Sequence, residues 1–102
     1  MDVYFANSEL QRLYTDNIGA DMYAAETVRL FRRRVRHIEA AKDLDDLRCP
    51  NAVSYRQLSA TYPPRSSLAL NQGWHLIIAE ELREDPQRIT VLAISELREP
   101  EA

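Results

Sequence analysis

The sequence predicts an α+β fold in which one strand and a helical hairpin precede a mainly antiparallel sheet of about four further strands. Three observations predict it. A short apolar run stands near the N-terminus, apolar residues then recur every three or four positions over residues 8–41, and short runs bounded by turn residues follow Pro50. Because short connections join the later runs, their strands are expected to pair antiparallel, with both helices packed on one face of the sheet.

The first half of the chain contains the first predicted strand and both helices. Residues 3–6 form the apolar run of the strand. Ser8 to Gln11 fit a capping box, so the first helix is expected to begin at Ser8 and to close near Gly19. A longer helix is expected over residues 21–41, because five apolar residues spaced three or four apart share one face. These are Ala24, Val28, Phe31, Val35 and Ile38.

The second half of the chain carries the β signals. Residues 43–47 are expected to form a turn or a short helical extension, and the predicted strands are residues 54–58, 67–70, 74–79 and 88–95. The paired prolines place residues 61–65 in a loop, since proline cannot donate to a strand ladder. Residues 71–73 are a short hairpin connection in which Gly73 is available for a positive φ.

Length and composition indicate a single domain over residues 1–102, with a frayed tail at about 98–102. No apolar run approaches the roughly 18 to 20 residues that cross a bilayer. The N-terminal residues lack the pattern of a signal peptide. The single cysteine, Cys49, cannot form an internal disulfide and has no metal-ligand spacing around it. We therefore expect a cytoplasmic protein with no membrane partner, no metal and no cofactor.

Charge is distributed unevenly along the chain. The formal net charge is −3, yet residues 29–65 carry nine cations against four carboxylates, between two acidic ends. Twelve of the 13 cations are arginine, which favours planar, bidentate binding of phosphate or carboxylate. The run from Arg29 to Arg36 is therefore either an anion-binding surface or a solvated helix face.

Three segments, in this order, resemble a known family. They are the basic helix of residues 28–35 with its exit over residues 38–47, the segment Arg56-Gln57-Leu58, and the strand pair Leu70-Asn71-Gln72-Gly73-Trp74-His75-Leu76-Ile77-Ile78. Together they resemble the RelE/ParE superfamily of small bacterial toxins, and within it the HigB-like killer proteins. The resemblance covers nearly the whole chain.

The resemblance implies the toxin of a type II toxin–antitoxin pair, an endoribonuclease that cuts messenger RNA on the ribosome and inhibits translation. It also implies a cognate antitoxin, commonly a helix-turn-helix protein. The chemistry implied needs no metal, because the ribose 2′-OH attacks the adjacent phosphate. Such a site needs a base, an acid for the leaving oxygen, and cations for the charged phosphorane.

Four residues are candidates for catalysis. Trp74 and His75 point to opposite faces of one strand, so His75 faces away from the helices if Trp74 faces them. Histidine is the side chain that most readily exchanges a proton near neutral pH. Arg56 is a candidate from a neighbouring strand, and Glu96 and Arg98 are candidates for a carboxylate base and a phosphate ligand at the end of the last strand.

RNA or phosphate is expected to bind four further arginines, Arg65, Arg32, Arg33 and Arg36. The helical run also has two other interpretations, a surface for an acidic antitoxin segment and a solvated face. Six positions depart from the family pattern: Ser59 stands for a lysine, Ala60 for a glycine, His75 for an arginine, and Glu96-Leu97-Arg98 for Asp-Tyr-His. The sequence therefore also fits a non-nuclease member of the same fold, either a gyrase-type inhibitor or a catalytically degenerate toxin kept as an antitoxin-binding module.

Overall fold

The computed structural model describes residues 1–43, 46, 55–71, 73–84 and 86–96. Within them the element order is a strand, two helices and four strands, which confirms the predicted α+β layout. The elements are β1 (Asp2–Phe5), α1 (Ser8–Thr15), a short 3₁₀ helix (Ala20–Met22), α2 (Ala25–Ala40), β2 (Tyr55–Ser59), β3 (Arg65–Ala69), β4 (Trp74–Glu81) and β5 (Arg88–Glu96).

The five strands form one sheet in the order β1-β5-β4-β3-β2. The pairs β2–β3, β3–β4 and β4–β5 are antiparallel, as the short connections predicted. β1 pairs parallel with β5, with Asp2 opposite Arg88 and Phe5 opposite Val91. β1 and β2 lie at opposite edges of the sheet, and the helical hairpin connects them. This long connection lets β1 pair parallel with β5, because parallel neighbours cannot be joined by a tight turn.

α1 begins at Ser8, as the sequence predicted, but its capping residue differs from the prediction, and α2 begins later than predicted. The Asn7 side chain, not Ser8, caps α1, and its Oδ1 accepts the Leu10 N–H at 2.9 Å. An N-cap residue must have extended backbone, and Asn7 has φ −143° and ψ 162°. α1 ends at Thr15, and Gly19, at φ +89°, leads into the 3₁₀ helix. The backbone is extended at Tyr23 and Ala24, so α2 starts at Ala25 and not at residue 21.

The core lies between the helices and one face of the sheet. Of the predicted stripe on α2, Val28, Phe31, Val35 and Ile38 are buried, whereas Ala24 precedes the helix and is exposed. Each fully buried side chain of this size contributes about 1.5–3 kcal/mol of hydrophobic stabilisation. The strand residues that complete the core are Leu68, Leu76, Ile78, Ile89 and Val91.

The β2–β3 loop and the β3–β4 turn agree with the sequence prediction. Residues 60–64 join β2 to β3 as a loop, and the Tyr62–Pro63 peptide bond in it is cis. Gly73, in the β3–β4 turn, has φ +84°, a left-handed conformation that favours glycine. In the part of the chain described, no helix has the length and apolarity needed to cross a membrane.

Candidate functional site

The sheet has two chemically different faces. Leu68, Leu76 and Val91 pack in the core beneath the helices, so the residues that alternate with them point to the other side. We call that other side the open face, because both described helices pack on the first one. Its cross-strand rows are Arg65–Ala79–Thr90, Arg56–Ser67–Ile77–Ala93 and Ala69–His75–Ser95.

His75 lies on the open face, at the start of β4. Trp74 beside it points to the helix side, where its ring meets that of Tyr23 edge-on at 5.8 Å between centroids. The His75 Nδ1 atom lies 2.9 Å from the Gly73 carbonyl oxygen. A carbonyl can only accept, so this contact selects the tautomer with the proton on Nδ1. In that tautomer Nε2 is an acceptor and can take a proton from a substrate.

Arg56 and Arg65 share the open face with His75. Arg56 is opposite Ser67 on β3, and Arg65 is opposite Ala79 on β4. Standard strand spacing and rise put their Cα atoms about 12 Å and about 14 Å from the Cα of His75. Both side chains are exposed. A base and two guanidinium groups are therefore presented on one side of the sheet, within the reach of a single nucleic-acid strand.

Glu96 does not belong to this group. It is opposite Trp74 on β4 and so lies on the helix side of the sheet, away from His75. The reason is a bulge: Ile78 is opposite Val91 and Ile77 is opposite Ala93, which leaves Leu92 as an extra residue in β5. An extra residue inverts the alternation that follows it. Glu96 and His75 therefore lie on opposite faces of the sheet, and Arg98 lies outside the described residues.

The arginine run of α2 is largely occupied by contacts within the protein. Arg32 Nη2 donates to the Leu13 carbonyl at 3.1 Å and to Asn17 Oδ1 at 2.8 Å. Arg34 Nε donates to the Ala69 carbonyl at 3.1 Å, and its burial lowers the pKa of the guanidinium, with a further contribution from Arg33. These contacts join α2 to α1 and to the sheet.

The other members of the run differ in exposure and contacts. Arg29 forms an exposed ion pair with Glu26, one turn away. Arg36 is exposed and contacts the Tyr14 hydroxyl, which also binds Glu39. Burial and the Glu39 carboxylate raise the pKa of Tyr14. Arg33 is exposed and forms no hydrogen bond or ion pair within the described chain. Of the three helical arginines expected to bind RNA, Arg33 is thus the one without an internal contact.

A buried polar cluster that sequence reasoning missed lies on the helix side of the sheet. The Glu80 side chain is 1 % exposed and accepts hydrogen bonds from the Tyr55 and Ser66 hydroxyls. Ser66 Oγ also lies 2.8 Å from the Tyr55 hydroxyl oxygen. The signal was present in the alternation of β4, since Glu80 follows Leu76 and Ile78 at core positions. A carboxylate in that pattern requires buried donors.

A second polar cluster joins β4 to β5 on the open face. Glu81 accepts from Thr90 Oγ1 at 2.5 Å and pairs with Arg88 Nε at 2.7 Å. The Thr90 hydrogen bond is the largest cause of a lowered pKa at Glu81, and Arg88 adds to it against the opposing effect of burial. The Arg88 guanidinium lies 4.9 Å from the centre of the Tyr4 ring. This cluster is internally satisfied and lies across the sheet from Arg56.

The surface beside α1 contains a groove. A groove of about 340 Å³ runs between α1, the 3₁₀ helix and residues 92–94 of β5. Ile18 and Met22 line it and are 58 % and 76 % exposed. Among the described residues, no three histidine, cysteine or acidic side chains lie close enough together to hold a metal ion.

No protein-family model matches the chain, and no curated protein matches its sequence. The functional assignment therefore depends on the fold and on the side chains of the open face. These define a small α+β protein with a histidine and two arginines on a sheet surface that the described helices leave uncovered.

Proposed function

We propose that this chain is the toxin of a type II toxin–antitoxin pair and a metal-independent endoribonuclease that cuts messenger RNA at the ribosome, in the cytoplasm. One observation carries the proposal: His75, Arg56 and Arg65 share the open face of the sheet. The reaction class, RNA cleavage, is inferred from the resemblance to HigB-like toxins. The basic helix and the Asn71–Ile78 strand pair carry this resemblance.

The reaction follows from the chemistry of these three side chains. His75 Nε2 accepts the proton of the ribose 2′-OH as its oxygen attacks the adjacent phosphorus. The bond to the 5′-oxygen breaks, and the leaving oxygen takes its proton from water. The Gly73 carbonyl holds the tautomer that makes this possible. Arg56 and Arg65 stabilise the negative charge that builds on the phosphate oxygens, as positioned guanidinium groups do in phosphoryl transfer.

A second candidate function is a non-nuclease member of the same fold that acts by binding alone. A specific observation favours it. The register neighbours of His75 on the open face are Ala69 and Ser95, and Glu96 lies on the other side of the sheet. Within the described strands His75 therefore has no titratable cross-strand neighbour that could protonate the leaving 5′-oxygen.

Induced expression in a bacterial host, followed by mapping of transcript ends, separates the two functions. The nuclease proposal predicts growth arrest together with new RNA ends. His75→Ala is expected to lower the cleavage rate about 10²- to 10⁴-fold, the usual contribution of general base catalysis. Growth arrest without new ends in the wild-type protein would refute the nuclease and favour the binding function.

The antitoxin is proposed to be a helix-turn-helix protein encoded beside the toxin. Co-expression of the product of a neighbouring short gene should restore growth and yield a stable complex. Arg33→Glu is the matched test of the helical surface, because Arg33 has no internal contact among the described residues that its replacement would disrupt. Unchanged antitoxin and RNA binding in this variant would show that the exposed surface of α2 at Arg33 binds neither partner.

A further inference from the structure

Ser66 and Ser67 are adjacent in β3 and have opposite surroundings. Ser66 faces the helix side, where its hydroxyl donates to Glu80 and also contacts the Tyr55 hydroxyl. Ser67 faces the open side and is 1 % exposed. Its Oγ atom is buried and forms no hydrogen bond with any group among the residues that the structure describes. One serine is therefore fully satisfied and its neighbour is not.

A buried hydroxyl without a partner lowers stability, because it loses its hydrogen bonds to water and gains none in return. Alanine would fit at such a position without strain, since its side chain is nearly the same size as that of serine. A buried polar group left unsatisfied in this way calls for an explanation, and one explanation is a bound ligand that completes its hydrogen bonding.

The position of Ser67 identifies the ligand chemistry. It lies directly opposite Arg56 on β2, and Arg65 lies two residues before it on the same face of β3. His75 is on the next strand, opposite Ala69. A hydroxyl donor among guanidinium groups is suited to a phosphate, whose oxygens accept from both.

We propose that the Ser67 hydroxyl is a phosphate-binding group that donates a hydrogen bond to a non-bridging oxygen of the RNA phosphate held on the open face. This inference rests on the function proposed above and adds a residue to the same site. Arg56 and Arg65 are long, exposed side chains beside the hydroxyl. Phosphate binding then requires that these two side chains turn towards the ligand and leave the hydroxyl accessible to it. Ser67 is a binding residue and takes no part in proton transfer.

The two serines give a matched pair of variants with opposite expectations. Ser67→Ala should keep or raise the denaturation midpoint, since it removes an unsatisfied group, and should weaken RNA binding about ten-fold. Ser66→Ala should lower the midpoint, because Glu80 loses a donor, and should leave the RNA affinity of the folded protein unchanged.

The experiment measures urea denaturation together with binding of a short RNA oligonucleotide made uncleavable by 2′-deoxy substitution, over a range of salt concentrations. Loss of a neutral hydroxyl releases no counterions, so Ser67→Ala should leave the salt dependence of affinity unchanged. Arg65→Gln should reduce the slope of log K against log salt by about 0.7, the contribution of one cation on a single strand.

Three results would overturn the inference: a fall in midpoint for Ser67→Ala as large as that for Ser66→Ala, an affinity equal to that of the wild-type protein, or no binding of the oligonucleotide by the wild-type protein. Failure of the nuclease function is distinguishable from these. If the wild-type protein binds the oligonucleotide through Ser67 but does not cut its all-ribose form, only the catalytic step is refuted.

Discussion

Arg32 and Arg33 are neighbours in the basic run of α2, and the structure assigns them opposite roles. Arg32 donates to the Leu13 carbonyl, which is one of the last four carbonyls of α1 and has no acceptor role within that helix. It also donates to Asn17, just beyond the end of α1. A cation at a helix C-terminus is favourable for the helix dipole as well. Arg33 is exposed and has no such contact among the described residues.

Replacing Arg32 by alanine removes both hydrogen bonds from a charged donor. Hydrogen bonds to charged groups contribute about 1.5–3 kcal/mol each. Water can replace the donor at the exposed Asn17. The buried Arg32 Nε atom has no hydrogen-bond partner among the described residues, so its removal offsets part of the loss. We therefore expect Arg32→Ala to lower the free energy of unfolding by about 1.5 kcal/mol. For a domain of this size that is a fall in Tm of about 6–12 °C. Arg33→Ala should change stability by less than about 0.5 kcal/mol.

Urea denaturation of the two variants, followed by circular dichroism at constant pH and salt, measures the difference. Similar m-values in both would show that the comparison concerns the folded state alone. If Arg33→Ala is as destabilising as Arg32→Ala, or if Arg32→Ala is silent, then the arginine run does not join α1 to α2 as described. In that case the whole run becomes available again as a surface for RNA or an antitoxin.

Two further predictions concern pH dependence and helix capping. The folded-state pKa of Glu81 lies below its usual value of 4.5 because of Thr90 and Arg88, so its stabilisation is fully present above that pH and is lost as the pH falls through the folded-state pKa. Below about pH 4.5 the free energy of unfolding should therefore fall less in Glu81→Gln than in the wild-type protein. Equal falls in the two proteins would show that the contacts of Glu81 with Thr90 and Arg88 do not stabilise the fold. Asn7→Ala should lower the free energy of unfolding by about 1 kcal/mol, whereas Ser8→Ala should be nearly neutral. The opposite order in thermal unfolding would restore Ser8 as the cap.

Local periodicity was enough to predict the layers of the fold. Val28, Phe31, Val35 and Ile38 repeat at helical spacing, and this pattern does not depend on what they pack against. Likewise, the alternation of Trp74, His75 and Leu76 separates the two faces of β4 whatever its neighbours are. The boundaries were less accurate because they depend on backbone conformation, as at Asn7 and at the extended residues before Ala25.

The candidate site was predicted only in part. His75, Arg56 and Arg65 were chosen one by one, and strand register brings them to one face. Glu96 was chosen from its position at the end of the last strand, and strict alternation from Thr90 would also place it on the open face. The bulge at Leu92 moves it to the other side. Nothing in the local sequence around Leu92 indicates an extra residue, because a bulge is defined by its pairing with β4.

The sequence alone therefore determined the order of elements, the core stripe of α2 and the face of β4 on which His75 lies. The tertiary structure decided the parallel pairing of β1 with β5, the face of Glu96 and the partners of Arg32 and Arg34. It also revealed that the buried hydroxyl of Ser67, on the same face as His75, has no hydrogen-bond partner within the described part of the chain. The division has a physical reason. Helix and strand periods arise from geometry within a few residues, whereas register and hydrogen-bond partners arise from contacts between residues far apart in the chain.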